Sequence, residues 1–173
     1  MKNQPEEKIQ TEAEIAYHEA GHAVASYYTG VRFKKVSIVP KGCSLGRLVH
    51  RKISEKMIQE LHRRDNTKTQ IWHINHMIIS LAGAATTQLF FGRSRGHLED
   101  YTIVNDLAFW ECGTVRTANA YSKFLRLLTK DLIKYMRKLL DIVAKELLEK
   151  KTLTYKEFIK LIPESDTLDS GDY

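Results

Sequence analysis

A chain of 173 residues with 43% hydrophobic and 28% charged residues can bury one core, and this composition excludes a disordered or fibrous protein. The formal net charge of +6 suits anionic surroundings without naming a partner. No interleaved aromatic and basic recognition motif accompanies it, so nucleic-acid binding is not expected. In chain order, the segment from about Glu12 to Thr29 has no proline and places Ile15, Ala16, Ala20, Ala23, Val24 and Tyr27 at helical spacing, which predicts a helix ending near Gly30. "VRFKKVSIVPKG" alternates apolar and polar residues and then breaks at Pro40 and Gly42, as a strand and turn would, and "LGRLVHRKI" is its candidate antiparallel partner. "SEKMIQELHRRDNTKTQ" is compatible with either a helix start or an excursion.

Gln70 to Phe91 forms a long apolar helical stretch in which Gly83 and several alanines permit close approach by another helix. "GRSRGHLEDYTIVND" reads as a loop feeding a helix from about Val104. A further helix is expected over Ala118 to Lys150, with a leucine stripe that reads as core, and Thr154 is placed to cap a short last helix. The tail after Ile162 is acidic and polar, the composition of a disordered end. Cys43 and Cys112 have no C-x-x-C spacing and are too few for a secreted scaffold, so a reducing, cytoplasmic setting is expected. The N-terminal lead has no apolar export core, and no apolar run reaches the roughly 20 residues of a membrane span.

The chemistry concentrates in "AYHEAGHAV", where His18 and His22 stand one helical turn apart with Glu19 between them. H-E-x-x-H on a helix offers two imidazole nitrogens to one zinc ion and a glutamate to act as general base on the water that zinc acidifies. Ala20, Gly21 and Ala23 keep bulk away from such a buried helix, and Gly21 otherwise costs about 1 kcal/mol relative to alanine in a helix interior. The strand that follows is placed to hold an extended polypeptide by added-strand pairing. His73 and His76, three apart on the long apolar helix, have no carboxylate or cysteine at helical spacing and read as packed helix residues; His50, His62 and His97 receive no role.

"AYHEAGHAV", "KKVSIVPKGCSLGRL", "SLAGAATTQLFFG", "NDLAF" and "AKELLEKKTLTYKEFIKLI" resemble, in that order, the peptidase domain of FtsH-type zinc metalloproteases. The resemblance implies a mainly α (α+β) domain over residues 1–162, with a small β-sheet or hairpin after the zinc-binding helix, and an acidic tail over 163–173. It also implies Zn2+ held by His18, His22 and a downstream aspartate, Glu19 as catalytic base, and hydrolysis of flexible or unfolded polypeptides. The family's third ligand lies in an "N-D-[IL]" block, which here is Asn105-Asp106-Leu107, so Asp106 is the expected ligand, with Glu99 and Asp100 as rivals. The family's acidic pair after its small-residue block is replaced by Thr87 and Gln88.

No G-x-x-x-x-G-K-[ST] phosphate loop occurs in these residues, so an ATP-independent, stand-alone peptidase is expected, with a separate ATPase or membrane partner and a homo-oligomer as partner options. The short charged lead from Met1 favours a natural small protein over an excised domain. The alternative reading is a catalytically inactive adaptor or oligomerisation module that keeps the fold and the metal. The basic group Arg51, Lys52, Lys56, Arg63, Arg64 and Lys68 reads as a solvated face.

Overall fold

Thr11 opens the first helix, α1 (Glu12–Tyr28), with a capping box: its hydroxyl accepts the Glu14 N–H at 3.2 Å while the Glu14 carboxylate accepts the Thr11 N–H at 2.8 Å. The computed structural model describes residues 10–61, 63, 66–94 and 98–163; the lead before Gln10, His62, Arg64, His97 and the tail from Glu164 lie outside the described residues. Ala16, Ala20, Ala23, Val24 and Ala25 are wholly buried, so α1 is the central helix rather than a surface one. Its small side chains let neighbouring helices approach closely.

The closest neighbour is α3 (Thr67–Phe91), a helix of 25 residues that ends on Gly92 in the left-handed region. The two helices cross at Gly21, where a Cβ would stand 2.5 Å from Thr86 Oγ1 and 2.6 Å from the Ala82 carbonyl oxygen. Only glycine permits that approach, which offsets its poor helix propensity. Tyr17 fills the far end of the same interface against Phe90, with ring centroids 4.5 Å apart.

Three short strands form an antiparallel sheet in the order β2-β1-β3, with β1 at Phe33–Ser37, β2 at Arg47–His50 and β3 at Thr152–Thr154. Ser37 pairs with Arg47, Val36 with Leu48 and Phe33 with His50, with one irregularity between Phe33 and Lys35. Phe33 and Val36 are fully buried and tie the sheet to the core, and β2 forms one edge. The expected strand pair is present; β3, read from sequence only as the lead into a helix, is an additional strand.

The ambiguous polar segment contains a short helix, α2 (Glu55–Glu60), capped by Ser54. Two helical expectations need correction. The helix expected from Val104 begins six residues earlier, as α4 (Leu98–Cys112). The single helix expected over Ala118 to Lys150 is two, α5 (Val115–Tyr135) and α6 (Arg137–Lys150), separated at the buried Met136 without any glycine or proline to mark the break. Leu125, Leu139 and Leu147 of the leucine stripe are core, but Leu128 is exposed, together with Phe124 and Leu127. Thr154 caps α7 (Tyr155–Ile159) as expected, in a second capping box with Glu157. No helix among the described residues is long and apolar enough to cross a membrane.

Candidate metal and catalytic site

His18 and His22 project from the middle of α1 with their Nε2 atoms 2.9 Å apart. The orientation of His22 is set from α3: its Nδ1–H donates to the Ile79 carbonyl at 2.7 Å, which makes Nε2 the ring nitrogen that can bind a cation. Gly83, on the same helix, lies so close that a Cβ would stand 2.6 Å from His22 Nε2 and 2.7 Å from His18 Nε2. The absent side chain makes room for the two imidazoles.

The third donor comes from α4. Asp100 Oδ2 lies 3.2 Å from His18 Nε2 and 3.5 Å from His22 Nε2. Among the described residues these three form the one group of histidine, cysteine or acidic side chains that could hold a metal. The expected ligand Asp106 is not brought there. At about 100° per residue it is displaced some 240° around α4 from Asp100, and it is exposed. Val104 and Ala108, the buried residues of α4, stand four and eight positions after Asp100, so the inward stripe of this helix contains Asp100 and not Asp106. Glu99 is exposed beside it, and His97 lies outside the described residues.

The donor set fits zinc. Donors about 2.0–2.1 Å from a tetrahedral ion stand roughly 3.3 Å apart, close to the three separations found here. The electrostatics ask for a cation as well. Burial alone would raise the Asp100 pKa, but its hydrogen bonds to His18 and His22 and their charges outweigh burial and hold it well below the usual carboxylate range. Burial alone would depress His22, yet the hydrogen bond and charge of Asp100, with help from Glu19 and the Ile79 carbonyl, push it up to about 9. Two imidazoles around one anion bind a proton when no metal competes.

Glu19 occupies the same cleft, of about 520 Å³, with Arg47 and His50 of β2 in the wall. It is 5% exposed, and its Oε2 has no hydrogen-bond partner among the described residues. Burial is the largest influence and pushes its pKa up to about 7; the charge of Asp100 adds to this, while His22 and Arg47 oppose it. A carboxyl group balanced near neutrality can both take and return a proton.

Several contacts of the other histidines escaped the sequence reading. His73 is buried and hydrogen-bonds the carboxylate of Glu111, which arrives from α4 rather than from helical spacing on α3. His76 lies on Trp72 at a centroid separation of 3.8 Å and against His50 at 5.2 Å. The signal for His50 was its register: it shares a face of β2 with Leu48, and the two stand opposite Phe33 and Val36. Thr87, already singled out from the sequence, turns its hydroxyl back onto the Gly83 carbonyl at 3.2 Å.

A helical domain with a small sheet, carrying H-E-x-x-H on a buried central helix and a carboxylate as third donor from a second helix, is an FtsH-type zinc metallopeptidase domain. The chain belongs to peptidase family M41, whose family model matches residues 6–109. It is 35% identical over 109 residues to the mouse mitochondrial inner membrane m-AAA protease component AFG3L2, an alignment covering 61% of this chain and 12% of that protein. It is 29% identical over 188 aligned positions to the ATP-dependent zinc metalloprotease FtsH of Thermus thermophilus, covering 85% of this chain and 28% of that one. The human ATP-dependent zinc metalloprotease YME1L1 is 33% identical over 79 residues, 44% of this chain and 9% of that protein. The aligned part of the chain thus spans no more than 28% of the length of these relatives.

Proposed function

We propose that this chain is a zinc-dependent endopeptidase that hydrolyses flexible or unfolded polypeptides and needs no nucleotide of its own. The observation that carries the reading is the convergence of His18 Nε2, His22 Nε2 and Asp100 Oδ2 beside a buried Glu19 with an unpartnered oxygen. His18, His22 and Asp100 would hold the ion, and Zn2+, when bound there, would acidify water and polarise the peptide carbonyl. Glu19 takes the proton from the attacking water and returns it to the departing amine, a transfer suited to a carboxyl group poised near pH 7. The open side of edge strand β2 offers main-chain hydrogen bonds to an extended substrate, which supports a polypeptide over a small molecule.

The test is zinc stoichiometry of the purified chain together with cleavage of casein, for the parent and Glu19→Gln. The reading expects about one zinc in both proteins and a loss of at least about 100-fold in cleavage for the variant, the usual size of a general-base contribution. Equal cleavage by the two proteins would remove Glu19 from the chemistry, and a parent that holds zinc but cleaves nothing would favour the adaptor alternative.

A further inference from the structure

Besides the cation, a protein donor can stabilise the charge that hydrolysis places on the peptide oxygen. As the water oxygen bonds to the carbonyl carbon, the C=O electron pair moves onto the former carbonyl oxygen; as that pair returns, the C–N bond breaks and Glu19 delivers the water's proton to nitrogen. A donor aimed at the oxygen while it bears charge is worth about 100- to 1000-fold in turnover. His50, at the end of the edge strand, stands in the wall of the cleft that contains Glu19, His18 and His22. Its ring rests against His76, and His76 rests on Trp72, so the imidazole is braced from behind.

The protonation of that ring follows from its surroundings. His50 Nδ1 is buried and has no hydrogen-bond partner among the described residues. A buried N–H without an acceptor is rarer and costlier than a buried acceptor without a donor. The proton is therefore assigned to Nε2, the other nitrogen of the ring. Burial also favours the neutral ring by lowering its pKa. A neutral imidazole can polarise a carbonyl without giving up its proton. Arg47, the other basic side chain named in this wall, interacts with the charge of Glu19 instead.

We propose that His50 is a catalytic residue that donates its Nε2–H to the developing oxyanion of the scissile peptide and keeps that proton throughout. This deepens the peptidase reading and rests on it. The experiment uses the full chain with two substitutions that separate ring from donor: His50→Phe keeps a ring against His76 without an N–H, and His50→Gln keeps an N–H without the ring. Turnover of a fluorogenic peptide is measured beside zinc content, and beside calorimetric binding of a phosphinic peptide of the same sequence, whose tetrahedral anion imitates the charged state. The expected result is that His50→Phe loses about 100- to 1000-fold in kcat and a similar factor in phosphinic affinity. Its KM stays within about threefold, zinc is retained, and His50→Gln recovers at least about tenfold. Parent-level kcat in His50→Phe, equal losses in both variants, or loss of zinc from either would overturn the proposal. Should His50→Phe lack the parent's far-UV dichroism, His50→Leu carries the same comparison. A parent that neither holds zinc nor cleaves the peptide overturns the peptidase reading and this proposal together, whereas an active parent makes the variants a test of His50 alone.

Discussion

Replacing Gly83 with alanine tests the metal site through a position that touches it without donating to it. The new methyl carbon would lie 2.6 Å from His22 Nε2 and 2.7 Å from His18 Nε2, where ordinary contact begins near 3.4 Å. Each ring nitrogen would have to retreat by about 0.7 to 0.8 Å, several times the ±0.2 Å over which ligand distances are tolerated. Disturbing a partner that merely orients a ligand costs 10- to 100-fold in metal affinity. Displacing two ligands at once is therefore expected to cost at least about 100-fold, equivalent to about 2.7 kcal/mol. The helix itself should not suffer, since alanine is favoured over glycine in a helix interior by about 1 kcal/mol. Competition with a zinc chelator measures the affinity, and far-UV dichroism with a thermal melt verifies the fold. A folded Gly83→Ala protein that binds zinc within threefold of the parent would refute the assignment of His18 and His22 as ligands packed against α3.

The remaining predictions concern charge. Asp100→Asn should weaken zinc binding by at least about tenfold by removing the anionic donor, while Asp106→Asn should change it less than twofold in the same competition assay; the reverse ranking would restore Asp106. Zinc binding near pH 7.5 should release about one proton per chain, because His22, with a pKa raised to about 9, is protonated in the metal-free protein; calorimetry in buffers of different ionisation enthalpy counts it. The same raised value stabilises the metal-free fold fully below the ordinary histidine pKa of about 6.5, and that contribution fades as pH climbs through 9. Glu14 behaves oppositely: Arg93, at 2.5 Å, and the capping contacts with Thr11 lower its pKa to about 2, so its contribution is present above about 4.5 and is lost as pH falls towards 2. With Arg93 half exposed and solvent weakening the pair, Glu14→Gln should cost about 1–2 kcal/mol at neutral pH, seen as a drop of a few degrees in the melting midpoint.

What the sequence discloses and what it conceals divide along a physical line. His18, Glu19 and His22 are legible because their relation is local: one helical turn fixes it whatever the rest of the chain does. Gly21 and Gly83 were legible for a related reason, since a glycine inside a helix is a cost that a close contact can explain, and both make one. Asp100 was obscured because "HLEDYTIV" carries few helix-core residues and the start of α4 was placed six residues late. Its inward stripe of Asp100, Val104 and Ala108 was nonetheless written at a spacing of four, with a charged residue in the position where an apolar one would normally stand. The Glu111 partner of His73 could not be seen in this way, because it lies 38 residues away on another helix. The break at Met136 has no local marker either; the burial of that residue exists only once α5 and α6 have found their separate partners.

Two carboxylates share this cleft, and their surroundings drive them in opposite directions. Asp100 is gripped by two imidazoles, so its charged form is the favoured one and it can remain an anion beside a cation. Glu19, one residue from His18 in sequence, is more deeply buried and keeps one oxygen without a partner, so its charged form is penalised and its pKa rises to about 7. When environment separates two acids in this way, it supports the proposed division of roles, in which the one held ionised would serve as ligand and the one near neutrality would move protons. Bound zinc would add positive charge beside both groups. It would replace the proton held by the two histidines and draw the Glu19 pKa below its metal-free value, leaving that carboxylate ionised and ready to accept. The H-E-x-x-H spacing alone does not account for this order of charge states. It arises because α4 delivers an anion to the two histidines, while Glu19 is buried with one oxygen lacking a hydrogen-bond partner among the described residues.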